Sequence, residues 1–448
     1  MFEQDIALIQ ELIDQERLAE LRDLFSEYPI PDIADILMAV DQNNRVLLFR
    51  LLPRAISSDV FSYLESEDRN EILKGLSHEE TRNLLLNLRP DDRTVLFEEL
   101  PGRVTQKLLN LLTPEELKTT RLLLGYPEES VGRLMTPDYV AVRPEWTIGE
   151  ALEHIRLKGR HSETLNVIYV TDKGWKLIDA VEIYQFILTD PEQRVADLMG
   201  HSVINISAFE DREEAVYMML RYDIQALPVV DSEGVLLGVV TFDDVMDVAQ
   251  LETTEDFHKG AAVSPLKGSY RETGIGELYR KRIVWLLGLV VVNILSLELM
   301  AYYQEILAST IALTFFIPLL LGSGGNTGSQ SSTIMVRGLA TGDIDVNAWA
   351  ASLGKELIVG LVLGLTMALA GILLGSWKGG LTIALIVGIT MMLIVVVANL
   401  IGALLPLLLT KLKLDPAVAS NPLITSITDI TGLIIFFSVS QWIMAMAH

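Results

Sequence analysis

Arg280-Lys281-Arg282-Ile283-Val284-Trp285-Leu286-Leu287-Gly288-Leu289-Val290-Val291-Val292 is where the chain changes solvent. Three cations close a charge-rich region, and a long apolar run starts directly behind them. The chain of 448 residues holds 35 Lys and Arg against 59 Asp and Glu, a formal net charge of −24. After residue 280 charge is sparse and balanced: Lys281, Arg282, Arg337, Lys355, Lys378, Lys411 and Lys413 face Glu298, Glu305, Asp343, Asp345, Glu356, Asp415 and Asp429. The whole imbalance therefore lies in the first 280 residues. An acidic, water-facing half joined to an apolar half predicts a cation-dependent regulator attached to a cation path. It argues against nucleic acid as a partner, because phosphate needs the opposite sign.

Outward from that junction the apolar half reads as five spans, near Ile283 to Met300, Leu307 to Met335, Trp349 to Leu374, Leu381 to Thr410 and Leu423 to Ala445. At about 1.5 Å rise per residue, each covers roughly 30 Å of hydrocarbon. Lys and Arg concentrate on the cytoplasmic side of a membrane. Arg280 to Arg282, Arg337 with Lys355, and Lys411 with Lys413 mark one side, against Lys378 alone on the other. This predicts a multi-pass protein of the cell membrane, in contact with lipid, with its acidic half in the cytoplasm and His448 outside. The start, Met1 to Asp5, has neither a basic nor an apolar stretch of the secretory kind, which supports the same orientation. Cysteine is absent, so disulfides, iron–sulfur clusters and thiolate zinc sites are excluded.

The acidic half has two textures. Residues 1–130 carry short helical patterns punctuated by Pro and acidic caps, such as Ser77-His78-Glu79-Glu80, Arg89-Pro90-Asp91-Asp92 and Thr113-Pro114-Glu115-Glu116. The last fits Thr as N-cap, Pro at the first helical position and Glu two residues later. Punctuation every 11 to 13 residues or so predicts a stack of short helices, an α-helical solenoid. Residues 131–250 are β-rich, with runs at Asn166 to Val170, Ala226 to Val230 and Val235 to Thr241. Arg133-Leu134-Met135 recurs as Asp197-Leu198-Met199, each followed by an extended segment and an amphipathic helix, Ile148 to Leu157 or Arg212 to Arg221. The predicted unit is β-α-β-β-α, repeated at 131–196 and 197–250. A charged connector, 251–280, with a helical start at Leu251 to His258, leads to the membrane domain, 281–448.

Asp429 is an ionisable group well inside an apolar span. A carboxylate at that depth costs about 2.5–3.5 kcal/mol on insertion scales, so such groups normally face a partner or a water-filled path. Asn421, Thr425, Asp429 and Gly432 recur at helical spacing and share a face. The second span carries Gly322-Ser323-Gly324-Gly325-Asn326-Thr327-Gly328-Ser329-Gln330, which predicts a broken or distorted helix whose freed backbone groups line a path; the alternative is a loop outside the bilayer or a tightly packed glycine crossing. Imidazole and thiolate ligands are lacking here, and oxygen-only donors favour Mg²⁺, Ca²⁺ or Mn²⁺.

Two resemblances rest on these residues. Leu227-Pro228-Val229-Val230-Asp231 and Gly238-Val239-Val240-Thr241-Phe242-Asp243-Asp244 resemble the second unit of a cystathionine-β-synthase (CBS) domain pair, while Leu177 to Val181 of the first copy lacks the Gly and Thr. Gly322 to Gln330, and the run from Asp415-Pro416-Ala417 through Asn421-Pro422 to Thr428-Asp429, resemble the MgtE family of magnesium channels and transporters over essentially the full chain. Ser329 stands where that family can carry Asn. The resemblance implies a homodimer, Asp429 as pore carboxylate, and Asn421, Gly325 and Asn326 beside the path. It also implies that the connector plugs the pore when Mg²⁺ fills acidic sites: Asp223, Asp244 and Asp247 in the second CBS unit, Glu252, Glu255 and Asp256 in the connector, and Asp415. Asp91, Asp92, Asp211 and Glu213 are further sensor candidates. Thr241 and Asp244 are the candidate contacts for a nucleotide such as ATP. The expected function is a Mg²⁺ channel or transporter closed by cytosolic Mg²⁺. An ion-coupled carrier and a nucleotide-responsive transporter are the alternatives; no enzymatic motif is visible.

Overall fold

The computed structural model describes residues 2–447 apart from Glu16, His201, Ser202, 267–269, Arg271, Glu272, Val346 and Asn347. His448, expected outside the membrane, lies outside the described residues. The chain forms two compact units, Met1–Gln250 and Leu251–His448.

In the first unit, helices begin at Leu18, Ile30, Gln42, Arg54, Ser66, His78, Pro90, Gly102 and Pro114, a twelve-residue repeat that the uneven Pro and acidic punctuation only approximates. Local chemistry sets the period. Ser77 with Glu80, and Thr113 with Glu116, form reciprocal capping boxes, and Pro90 and Pro114 occupy first-turn positions that need no N–H. Each such cap contributes about 1 kcal/mol. The helices are too short to stand alone and bury Phe25, Phe49, Phe61, Leu85 and Phe97 in one shared core.

The repeated β-α-β-β-α unit forms as expected. Strands β1 (Ala141–Val142), β2 (Val167–Thr171) and β3 (Leu177–Glu182) make one sheet, with β1 parallel and β3 antiparallel to β2. Strands β4 (Ile206–Ser207), β5 (Ala226–Val230) and β6 (Leu236–Thr241) repeat that topology, including a register shift before the last residue of the central strand. The interposed helices are Ile148–Lys158 and Arg212–Tyr222. One boundary moves: the connector helix is Phe242–Gly260, so it begins nine residues before the expected Leu251, as the closing helix of the second CBS repeat.

In the second unit, span one is Ile275–Tyr302 and span two Ile317–Ala340, the latter led in by a 3₁₀ turn at Ile311–Phe316. The next helical stretch, Trp349–Lys411, is about 94 Å of helix, far more than one bilayer crossing. It reverses at Gly380, whose φ of 78° is open to glycine, giving spans three (349–379) and four (381–411). Small residues hold the two arms together: a Cβ on Gly375 would lie 2.6 Å from the Ala384 Cα, and one on Gly371 3.3 Å from Val387. Span five is Asn421–Ala447. Five passes therefore arise from four long apolar helices among the described residues.

Span two corrects an expectation, because its glycine-rich run is continuous helix. Without water, a helix that keeps its own hydrogen bonds is favoured over one that frees them. The glycines instead admit neighbours: Gly324 meets Ile394, Gly325 meets Thr425, and Gly328 meets Ile424 and the Ala398 carbonyl. The packed-crossing alternative is what forms.

Candidate functional site

Asp429 is the sole carboxylate of span five and is half-buried. Its neighbours do not take it up. The hydroxyls of Thr425, Ser426, Thr428 and Thr431 all donate to backbone carbonyls of their own helix, and Asp429 has no hydrogen bond or ion pair among the described residues. The carboxylate is thus left open at a depth where that is costly. Gly432, on the same face, packs on Leu321 and Ile394, and Thr425 packs on Gly325. Asn326, next to Gly325, is exposed, as is Asn421 at the start of span five.

Asn421 shares a cavity of ≈ 550 Å³ with the end of the connector helix: Thr253, Asp256, Phe257, Gly260 and Ala261 line it together with Thr333 and Arg337 of span two. Beside it the structure brings three expected acids together. The Lys259 ammonium donates to Asp415 Oδ2 at 2.5 Å and pairs with Glu255 Oε1 at 2.5 Å. Burial, then the charge of Asp415, pushes Asp256 up to about 6. Burial works against the Lys259 ammonium, but its bonds to Asp415 and Glu255 outweigh it and raise the lysine above its ordinary value. Lys259 is absent from the sequence-predicted set, although its place four residues after Glu255 is a readable signal. Glu252 lies one turn earlier on the helix and is half-buried.

A second acidic group lies inside the first unit. Asp91 and Asp92 open the helix Pro90–Glu99, and Asp244 stands in the first turn of the connector helix. Asp91 is 5% exposed, and its Oδ1 has no hydrogen-bond partner among the described residues. Burial, then the charges of Asp244 and Asp92, holds Asp91 well above the usual carboxylate range. Burial also raises Asp244, to about 7, against the pull of Thr241 Oγ1 donating to it at 2.5 Å. Asp92 accepts from Ser62 Oγ at 2.8 Å and is raised by burial, as is Asp247, which Asp243 and Asp92 push further. Glu163, raised by burial and paired with Arg89, and Asp243, next to Asp244 in the chain, extend the group; Glu163 is not readable from the sequence, because only the tertiary fold brings it there.

Other expected acids stand apart in role. Asp211 caps the helix Arg212–Tyr222, accepting from the Glu213 amide at 2.9 Å, and Glu213 opens its first turn. Asp223 ends that helix in the left-handed region, φ 52°, with an exposed side chain. Among the described residues no group of three or more His, Cys, Asp or Glu is placed to hold a metal ion. Carboxylates gathered this closely repel one another, a repulsion that a nearby cation would relieve.

Fold and site define a multidomain membrane protein of the divalent cation transporter class. The family model described as divalent cation transporter matches residues 317–439, the MgtE intracellular N domain matches 28–129, and the CBS domain matches 131–184 and 195–250. Magnesium transporter MgtE of Thermus thermophilus is 37% identical over 442 residues, 97% of this chain and 98% of the relative. Its counterpart in Bacillus subtilis is 30% identical over 96% of this chain and 95% of the relative. A crystal structure of the cytosolic domain of the Mg²⁺ channel MgtE in complex with ATP is similar at TM-score 0.53 and 34% identity, covering 54% of this chain and 99% of that chain. The chain belongs to the MgtE family.

Proposed function

We propose that this chain conducts Mg²⁺ across the cell membrane through a path that passes Asp429, and that cytosolic Mg²⁺ closes the path by binding the acidic clusters. The observation that carries the reading is the open Asp429 carboxylate, half-buried in span five and engaged by no neighbour among the described residues. The 37% identity to a magnesium transporter over nearly the whole chain supports the ion. An oxygen-only path suits a cation that sheds water reluctantly, since one carboxylate can hold it through its hydration shell. Asn421, Gly325 and Asn326 flank the same route. The protein works as a homodimer: span one has no buried residue, which leaves its faces for lipid and a second copy. The acidic half lies in the cytoplasm and the C-terminus outside. Transport, not enzymatic turnover, is its activity.

Regulation follows from electrostatics. Like charges at Asp91 and Asp244, and at Asp256 and Asp415, oppose close packing, and a divalent cation between them reverses the sign. High cytosolic Mg²⁺ therefore favours the compact, closed state. ATP binds the second CBS unit at Thr241 and Asp244, where it must displace their mutual hydrogen bond.

Purified protein in liposomes tests the path. Asp429→Ala is expected to assemble normally and to lose Mg²⁺ flux at least tenfold, because the only carboxylate of span five is gone. Wild-type flux from a correctly assembled Asp429→Ala protein would remove the assignment.

A further inference from the structure

Glu356 lies seven residues into span three, about 10 Å along the helix from Trp349, so it too sits at membrane depth. Unlike Asp429, its carboxylate is occupied. Asn399 Nδ2 of span four donates to Glu356 Oε2 at 2.8 Å and to the Glu356 carbonyl at 2.8 Å. Ser331 Oγ of span two donates to the same Oε2 at 3.2 Å. Both donors are 3% exposed. One carboxylate oxygen thus ties three spans at a point where unpaired polar groups are costly.

The tie sits beside a close backbone crossing of spans two and four. A Cβ on Gly402 of span four would lie 2.2 Å from the Gly328 carbonyl of span two and 3.0 Å from Ser331 Cβ, so the two backbones nearly touch. Span two can therefore turn or slide at this crossing only by breaking the Ser331 bond. Ser331 and Asn326 are five residues apart, about 140° around the helix, so fixing the first on spans three and four fixes the direction of the second. Gly325, the residue before Asn326, abuts Thr425, one turn before Asp429.

We infer that Glu356 is a positioning residue for the ion path: by accepting from Ser331 and Asn399 it sets the rotation of span two, and so places Asn326 relative to Asp429. The role needs an acceptor, not a charge, and it rests on the path assigned to Asp429.

The test is Mg²⁺ flux and the Mg²⁺-to-K⁺ permeability ratio of the full chain in liposomes, with monodispersity checked. Glu356→Gln keeps an acceptor oxygen and is expected to stay within about twofold of wild type on both readouts. Glu356→Ala and Asn399→Leu are expected to lose flux about tenfold and to lower the permeability ratio. Where these fail to assemble, Ser331→Ala, which deletes one hydroxyl, carries the test through a lowered ratio. If Glu356→Gln is as impaired as Glu356→Ala, the charge itself is needed and the inference falls. It falls equally if assembled Ala and Leu variants, or Ser331→Ala in their absence, keep the wild-type ratio. Asp429→Ala measured alongside separates the two readings: normal flux there removes the path, whereas the Glu356 comparison still reports whether the tie governs permeation.

Discussion

Asp244 keeps its proton to about pH 7 because burial, and then Asp243, Glu163 and Asp92, disfavour its charge. An unfolded Asp titrates near 3.9. The folded form thus binds more protons between those values, and the sign is fixed: stability from this group is present at low pH, falls as pH rises from about 4 to 7, and is level above. Each tenfold change in proton affinity is worth about 1.4 kcal/mol, so a rise from about 4 to about 7 puts the penalty near pH 8 at the order of 4 kcal/mol. In chelator at pH 8, Asp244→Asn is expected to raise the first thermal transition by several degrees, with the two proteins coinciding at pH 4. Equal melting at pH 8 would show that the charge is relieved by something else. Asp244 is legible as a candidate from the motif around it, but its proton is not: that depends on Asp92 and Glu163, which lie far off in sequence.

At the scale of elements, period and punctuation are readable and contact is not. The capping boxes at Ser77 and Thr113 and the CBS repeat follow from local chemistry. The glycine-rich run of span two reads as a break because its intrinsic propensity is poor; inside a bilayer the hydrogen-bonded helix persists, and the small residues serve its crossings with spans four and five. The connector helix shows both sides. Glu252, Glu255 and Asp256 at i, i+3 and i+4 are expected on one face, and Glu255 and Asp256 do gather near Asp415; the Lys259 ammonium that joins Glu255 to Asp415 needs the fold to be seen. In the gating proposed above, a divalent cation favours the docked connector through the oxygens of these acids. Replacing them with Gln, Gln and Asn is expected to raise the cytosolic Mg²⁺ needed for closure about tenfold while leaving single-channel conductance unchanged, the outcome for a connector that gates the path without coordinating the permeating ion. Patch recording of reconstituted protein distinguishes the two quantities, and an altered conductance would move the connector into the path itself.

The acids available for sensing are spread from Asp91 to Asp415, over both units of the molecule. Moving a two-state channel from mostly open to mostly closed takes about 5.5 kcal/mol of differential binding. A single hydrated Mg²⁺ held by exposed or half-buried carboxylates is an implausible source of that much, whereas four sites, each about tenfold tighter in the closed state, supply it. Linkage then makes closure cooperative, since every bound cation biases the same equilibrium. Cytosolic Mg²⁺ titrated onto liposome patches is accordingly expected to close the protein with a Hill coefficient of about 2 to 3. Asp91→Asn with Asp244→Asn removes one cluster and leaves the connector group intact, so closure should stay complete at high Mg²⁺ but become shallower, with the Hill coefficient falling by about one. Two outcomes count against a distributed sensor. A wild-type coefficient of one would mean that a single site sets the gate, and loss of all Mg²⁺ sensitivity in the double variant would place that site at Asp91 and Asp244.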